Sequence, residues 1–305
     1  MKRTAVFDIG SVSVKMFVAE ELPGGGFVPM LERARVTRLG EGLAGRVDFL
    51  PLAVNRTLQA VEEFAAEAAG LGVHEMEALG TEALRRVADP GSFARELARR
   101  TGISLKVLDP ASEARLAFLS ASTLFPDRDR PLCILDVGGG STEVLSGRPN
   151  APEGRALLPI GALRLKEACI AKDPPGEAEV RRMRETVSTL VERPVKDLSC
   201  DRLVGMGGTV MVLASIVAGG PAFEPEKLHG SRLPVEAVSS IIARLQGLSR
   251  ESRMAVPGLP ADRADLALPG AVIVEAIMAR LGVSGLLASA WGIRHGRTLE
   301  LFEAG

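Results

Sequence analysis

Two short segments place an acid beside a turn suited to close approach of an anion. Val6-Phe7-Asp8-Ile9-Gly10-Ser11-Val12-Ser13 recurs 128 residues later as Ile134-Leu135-Asp136-Val137-Gly138-Gly139-Gly140-Ser141. In each copy an apolar, strand-like run ends at an aspartate, passes through small residues and resumes, as Val14 to Ala19 in the first and Val144-Leu145 in the second. Consecutive N–H groups in such a turn form an anion-binding concavity, and glycine lets the backbone come within hydrogen-bonding distance of phosphate oxygens. Asp8 and Asp136 add hard oxygen donors of the kind Mg²⁺ takes when it is shared with phosphate. Glu143, seven residues beyond Asp136, can reach the same pocket across the hairpin. The chemistry indicated is phosphate chemistry. Two such turns in one chain imply a duplicated domain, its copies facing each other across a cleft.

The elements that must hold these turns alternate between helix and strand. Leu52 to Ala68 has apolar residues at the helical period, and Glu75 to Leu79 then reads as a strand. A helix from Ser92 to Arg100 stops at Gly102, and Ile103 to Leu108 is strand-like. Asp109-Pro110 is a cap followed by proline at the first helical position, opening a helix that carries Glu113 in its first turns. The second half repeats this alternation, with a helix over 177–191, a strand at 202–204, a glycine loop Gly205-Met206-Gly207-Gly208-Thr209, and helices over 210–218, 234–247 and 269–281. The glycine loop runs into a helix, so its N–H groups can hold phosphate or frame a nucleotide.

Composition narrows the class. The chain has 305 residues, enough for two packed domains, with 46% hydrophobic and 25% charged residues, which excludes a disordered or collagen-like chain. The formal charge is -1, from 37 Lys+Arg against 38 Asp+Glu, so there is no global basic field for nucleic acid and any anion must be captured locally. No DNA and no membrane partner are expected: the apolar stretch after Met1 is cut by Asp8, and the longest apolar run, Val210 to Ala218, falls far short of the ~20 residues of a span. Cys133, Cys169 and Cys200 are odd in number and widely spaced, which fits a reducing, cytoplasmic setting. Of the histidines only His229, beside Gly230, is carried as a candidate.

Four segments, Asp8-Ile9-Gly10-Ser11, Glu113-Ala114-Arg115-Leu116, Asp136 to Glu143 and Gly205 to Thr209, resemble in order and spacing the exopolyphosphatase/guanosine pentaphosphate phosphohydrolase (Ppx/GppA) family. Arg38 to Leu43, Thr81 to Arg85, Ile160 to Leu165 and the stretch from Arg263-Ala264-Asp265 to Gly292-Ile293-Arg294-His295-Gly296 extend the resemblance along nearly the whole chain. It implies an α/β fold of two actin-like domains flanking a cleft, of the superfamily of actin, sugar kinases and heat-shock chaperones. The domains are expected at residues 1–125 and 126–305, with a last helix over 293–305 packing back on the first.

The resemblance also implies roles. Glu113 corresponds to the base that orients and deprotonates the attacking water. Asp136 and Glu143, with Asp8, correspond to acids that hold Mg²⁺ or another divalent cation. Gly10, Ser11 and Ser13, Gly138, Gly139, Gly140, Ser141 and Thr142, and Gly207, Gly208 and Thr209 correspond to phosphate-binding turns, and Arg85 to an arginine that pairs with phosphate oxygens. The implied substrate is inorganic polyphosphate, the alternative guanosine pentaphosphate, and a homodimer is consistent with the family. A third reading is a protein that binds either ligand without turnover. Three departures bear on it: Val12 stands where the family has Asn, Asp89 replaces an Asn four residues after Arg85, and Asp109-Pro110-Ala111-Ser112-Glu113 lacks a glycine and an acid usual ahead of the base.

Overall fold

The first aspartate-ending run becomes β1 (Arg3–Ile9) and the run after its turn β2 (Ser13–Glu21), paired antiparallel with Asp8 opposite Lys15. The computed structural model describes residues 2–23, 26–125, 131–148, 151–196, 198, 200–220 and 223–303. β3 (Phe27–Val36) pairs with the outer edge of β2, while β4 (Glu75–Gly80) and β5 (Ser104–Val107) extend the sheet in parallel on the other side, in the order β3-β2-β1-β4-β5. Parallel neighbours need crossover connections, and helices supply them here. α1 (Pro51–Gly70) precedes β4, α2 (Glu82–Arg86) and α3 (Pro90–Thr101) join β4 to β5, and α4 (Pro110–Ser122) follows β5. Leu58, Val61, Phe64 and Ala68 of α1 close over Phe7, Ile9, Val14 and Met16 of the hairpin, so the core of this unit is also the rigid mount of the first turn.

The second unit repeats the plan. β6 (Leu132–Val137), β7 (Thr142–Arg148) and β8 (Ala151–Leu158) form the antiparallel part. α5 (Ala162–Cys169) and α6 (Glu177–Glu192) lead to β9 (Leu203–Met206), which lies parallel to β6. There follow α7 (Gly207–Ala218), α8 (Pro225–Leu228), β10 (Arg232–Pro234), α9 (Val235–Gln246), α10 (Arg250–Arg253), α11 (Ala267–Leu281) and β11 (Gly285–Ser289). The sheet order is β8-β7-β6-β9-β11-β10, with β11 parallel to β9 and β10 antiparallel at the edge. Apart from β10, order and strand directions match those of the first sheet, so the repeated turn motif marks a duplicated α/β fold.

The compact units are Met1–Ser120 with Ile293–Gly305, and Ala121–Gly292. α12 (Ile293–Glu303) packs on β1 and β2, burying His295 against Phe17 with ring centroids 4.2 Å apart. The boundary expected at 125/126 adjoins residues 126–130, which lie outside the described residues. Among the described residues no helix is long and apolar enough to cross a membrane, and the three cysteines form no disulfide.

Candidate active site

Every turn singled out by sequence follows the carboxyl end of a strand with a parallel neighbour: Gly10 after β1, Gly138 after β6 and Gly207 after β9. That is where open α/β sheets bind ligands. The two hairpin turns close identically, Gly10 N donating to Ser13 O and Gly138 N to Ser141 O, each at 3.0 Å. Both are clamped from outside through their carbonyls. In the first, Gly40 N donates to Ser11 O, and Thr37 N and Arg38 N both donate to Val12 O. Arg38 sits at φ +52°, a left-handed conformation that costs a non-glycine residue ~1–3 kcal/mol and persists because these bonds fix it. In the second, the start of α5 does the same work: Ala162 N donates to Gly138 O, and Leu163 N and Arg164 N to Gly139 O. Carbonyls engaged in this way leave the amide side of each turn to meet an anion.

The acids beside the turns differ between copies. Asp136 and Glu143 are cross-strand partners in the β6–β7 ladder, which puts two carboxylates side by side on one face. The matching pair in the first copy is Asp8 and Lys15, with Nζ 3.5 Å from Asp8 Oδ2. Glu143 is buried and also meets Arg155 of β8, Nη2 to Oε1 at 3.2 Å. Asp136 lies over the start of α7, where a Cβ on Gly207 would stand 2.5 Å from its Oδ1. Gly207 also has φ +82°, so glycine is required there for both space and backbone conformation. The glycine loop is thus not separate from the helix expected at 210–218. Its residues 207–209 are the first turn of α7, whose N–H groups have no partner one turn back. Arg263 lies against that turn, its guanidinium 3.1–3.3 Å from where a Gly208 Cβ would be.

Glu113 belongs to the first unit. Asp109 caps α4 as expected, its Oδ1 accepting from Ser112 N and Ala111 N at 2.9 Å each and its Oδ2 from Ser112 Oγ at 2.7 Å, and these bonds, those from Ser112 above all, hold its carboxyl below the usual carboxylate range. One turn on, Glu113 Oε2 accepts from Arg85 Nη1 at 2.6 Å, and the same guanidinium nitrogen donates to Leu108 O at 2.8 Å. The base and the arginine named by the resemblance are therefore partners, both mostly buried. Ser11, in the same unit, donates to Glu82 Oε2 at 3.0 Å.

Other residues point elsewhere. Thr142 is fully buried, and its hydroxyl donates to Ile160 O at 2.7 Å, which ties the turn to the approach to α5. Asp89 caps α3 through Ser92 N and meets Arg95, so its charge is engaged on an exposed helix end. His229 accepts from Ala290 N and stacks on Trp291, and burial pushes its pKa down. Among the described residues no three His, Cys, Asp or Glu side chains gather as a metal cage. Two adjacent carboxylates nonetheless suit an ion that keeps several waters and shares phosphate oxygens. Sequence reasoning gave no role to Lys15, Arg155 or Arg263. The 128-residue offset alone maps Lys15 onto Glu143 and could have found the first of these.

The model of the Ppx/GppA phosphatase family matches residues 17–304. The chain belongs to that family. Exopolyphosphatase 1 of Mycobacterium tuberculosis is 28% identical over 99% of this chain and 89% of the relative, and Exopolyphosphatase 2 of the same organism is 28% identical over 99% of each. The crystal structure of the Aquifex aeolicus Ppx/GppA family member is similar with a TM-score of 0.82 and 29% identity, covering 100% of this chain and 99% of that one. The phosphatase family and the duplicated sheet agree with the fold and hydrolase class expected from the motifs.

Proposed function

We propose that this Ppx/GppA phosphatase removes terminal orthophosphate from inorganic polyphosphate. The observation that carries the reading is the carboxylate pair Asp136–Glu143, fixed by strand register beside two glycine turns. A divalent cation on that pair, Mg²⁺ in this reading, would supply positive charge against the phosphoryl oxygens. Asp8 is balanced by Lys15, so the first copy offers a phosphate turn more than a second acid pair. Amides of Gly10 to Ser13, Gly138 to Ser141 and Gly207 to Thr209 hold phosphate oxygens, and Thr142 keeps its turn closed.

Glu113 takes a proton from water as the water oxygen attacks the terminal phosphorus. The P–O bond to the bridging oxygen then breaks, and the shortened chain leaves with that oxygen. Arg85 holds Glu113 in place before substrate arrives and turns its remaining N–H groups to the phosphate. The odd number and wide spacing of Cys133, Cys169 and Cys200 support a reducing, cytoplasmic setting for the protein. The test is divalent-dependent phosphate release from long-chain polyphosphate and from guanosine pentaphosphate, for wild type and Glu113→Ala. Faster release from polyphosphate, lost in the variant, is expected. Faster release from the nucleotide would move the substrate assignment there. Tight binding by both proteins with no release from either ligand would overturn the hydrolase reading in favour of a binding protein.

A further inference from the structure

Behind the turns of the second unit lies a charge network outside the machinery described above. Lys166 on α5 meets Asp265, Nζ to Oδ2 at 2.6 Å, with the Asp265 side chain only 9% exposed. Arg253, almost wholly buried, donates from Nε to Leu245 O, while its Nη2 has no partner among the described residues. Burial pulls the Arg253 pKa down, and the charges of Asp173 and Asp265 oppose that shift.

Each end of the Lys166–Asp265 pair is tied to a different turn. On the Lys166 side, the first turn of α5 holds Gly138 O and Gly139 O, and the helix comes so close that a Cβ on Gly161 would stand 2.5 Å from the Gly139 carbonyl carbon. On the Asp265 side, Arg263 two residues earlier lies against Gly208, and Gly270 five residues later packs where a Cβ would meet Thr209 Cγ2 at 2.4 Å. One ion pair therefore joins the support of the Gly138 turn to the support of the Gly207 turn. A partly buried pair adds little net stability over well-packed apolar side chains, because desolvation offsets the attraction. What a short, directional bond does add is a fixed distance.

We propose that Lys166 and Asp265 are positioning residues, a brace that sets the spacing between the Gly138–Ser141 and Gly207–Thr209 turns so that both engage one phosphate chain. The proposal rests on the reading that those turns hold phosphate. Three variants test it: Asp265→Asn, Lys166→Met and the conservative Lys166→Arg, with Ser239→Ala as a control that removes the Ser239–Glu275 bond between α9 and α11. Hydrogen exchange at the amides of both turns is the primary readout, since it needs no turnover. Loss of the brace should speed exchange at both turns and lower kcat/KM for polyphosphate about tenfold or more, by the cost of displaced reacting groups. Lys166→Arg should recover to within about threefold, and Ser239→Ala should change neither turn nor rate.

Unchanged exchange at both turns in a folded Asp265→Asn or Lys166→Met protein would overturn the brace, whatever the activity. So would kcat/KM within twofold of an active wild type. If Asp265→Asn does not fold, Lys166→Met decides alone. A wild type that releases no phosphate would overturn the hydrolase reading, and the exchange data would still decide whether the brace exists.

Discussion

Replacing Gly207 by alanine should uncouple the carboxylate pair from the turn it serves. The new Cβ would stand 2.5 Å from Asp136 Oδ1, where ordinary contact begins near 3.4 Å, so the oxygen must retreat by about 0.9 Å. The left-handed backbone at φ +82° adds roughly 1–2 kcal/mol of folded-state cost for a residue with a Cβ. Gly282→Ala isolates that second effect, because Gly282 has φ +68° and nothing within 4 Å of the added atom. Gly282→Ala should lose the backbone cost alone in denaturant titrations, and Gly207→Ala at least as much. Only Gly207→Ala should lose turnover, by about 10²-fold for a displacement near 1 Å, with a higher divalent concentration needed for half-maximal phosphate release. Equal activity of the two variants, at the wild-type cation requirement, would refute the placement of Asp136 in the metal site.

Other consequences are as direct. Glu113→Gln should cut kcat by ~10²- to 10⁴-fold in phosphate release, while calorimetry should also show a lower melting temperature because the mostly buried Arg85 loses its anionic partner. Arg155→Met removes a cation that competes for Glu143 and should tighten divalent binding by about two- to fivefold in a calorimetric titration, the size expected of a partly exposed pair. Glu179 accepts from the N–H groups of Ala171, Gly176 and Lys172, which hold its carboxyl below the ordinary 4.5. A depressed carboxyl contributes stability that is present above the unfolded value and lost as pH falls through the folded one. Glu179→Gln should therefore destabilise at neutral pH, and the difference from wild type should shrink below about pH 4 in unfolding titrations.

Much of this was legible in the sequence, and particular residues show where legibility ended. The duplicated Asp-turn was readable because hairpin turns are local, and the cap at Asp109 because proline at the first helical position is a local rule. β3 was not, since it is an edge strand whose residues are mostly exposed or half-exposed and show no alternation. The α7 start was read three residues late because glycine signals a loop. Here glycines 207 and 208 form the helix's first turn, where a Cβ on Gly207 would stand 2.5 Å from Asp136 Oδ1 and one on Gly208 would sit tightly against the Arg263 guanidinium. Which cation meets which acid, Lys15 with Asp8, Arg155 with Glu143, Arg85 with Glu113, depends on strand register and on helices brought together by folding. Composition and period carry no such information.

The most direct test of the division of labour between base and metal acids is Mn²⁺ binding followed by electron paramagnetic resonance, in wild type, Glu113→Gln and Asp136→Asn, alongside phosphate release. Glu113→Gln should hold the ion as tightly as wild type yet release almost no phosphate, while Asp136→Asn should lose the ion and activity together. An Asp136→Asn protein that binds Mn²⁺ with wild-type affinity, or a Glu113→Gln protein that turns over polyphosphate at the wild-type rate, would contradict that division.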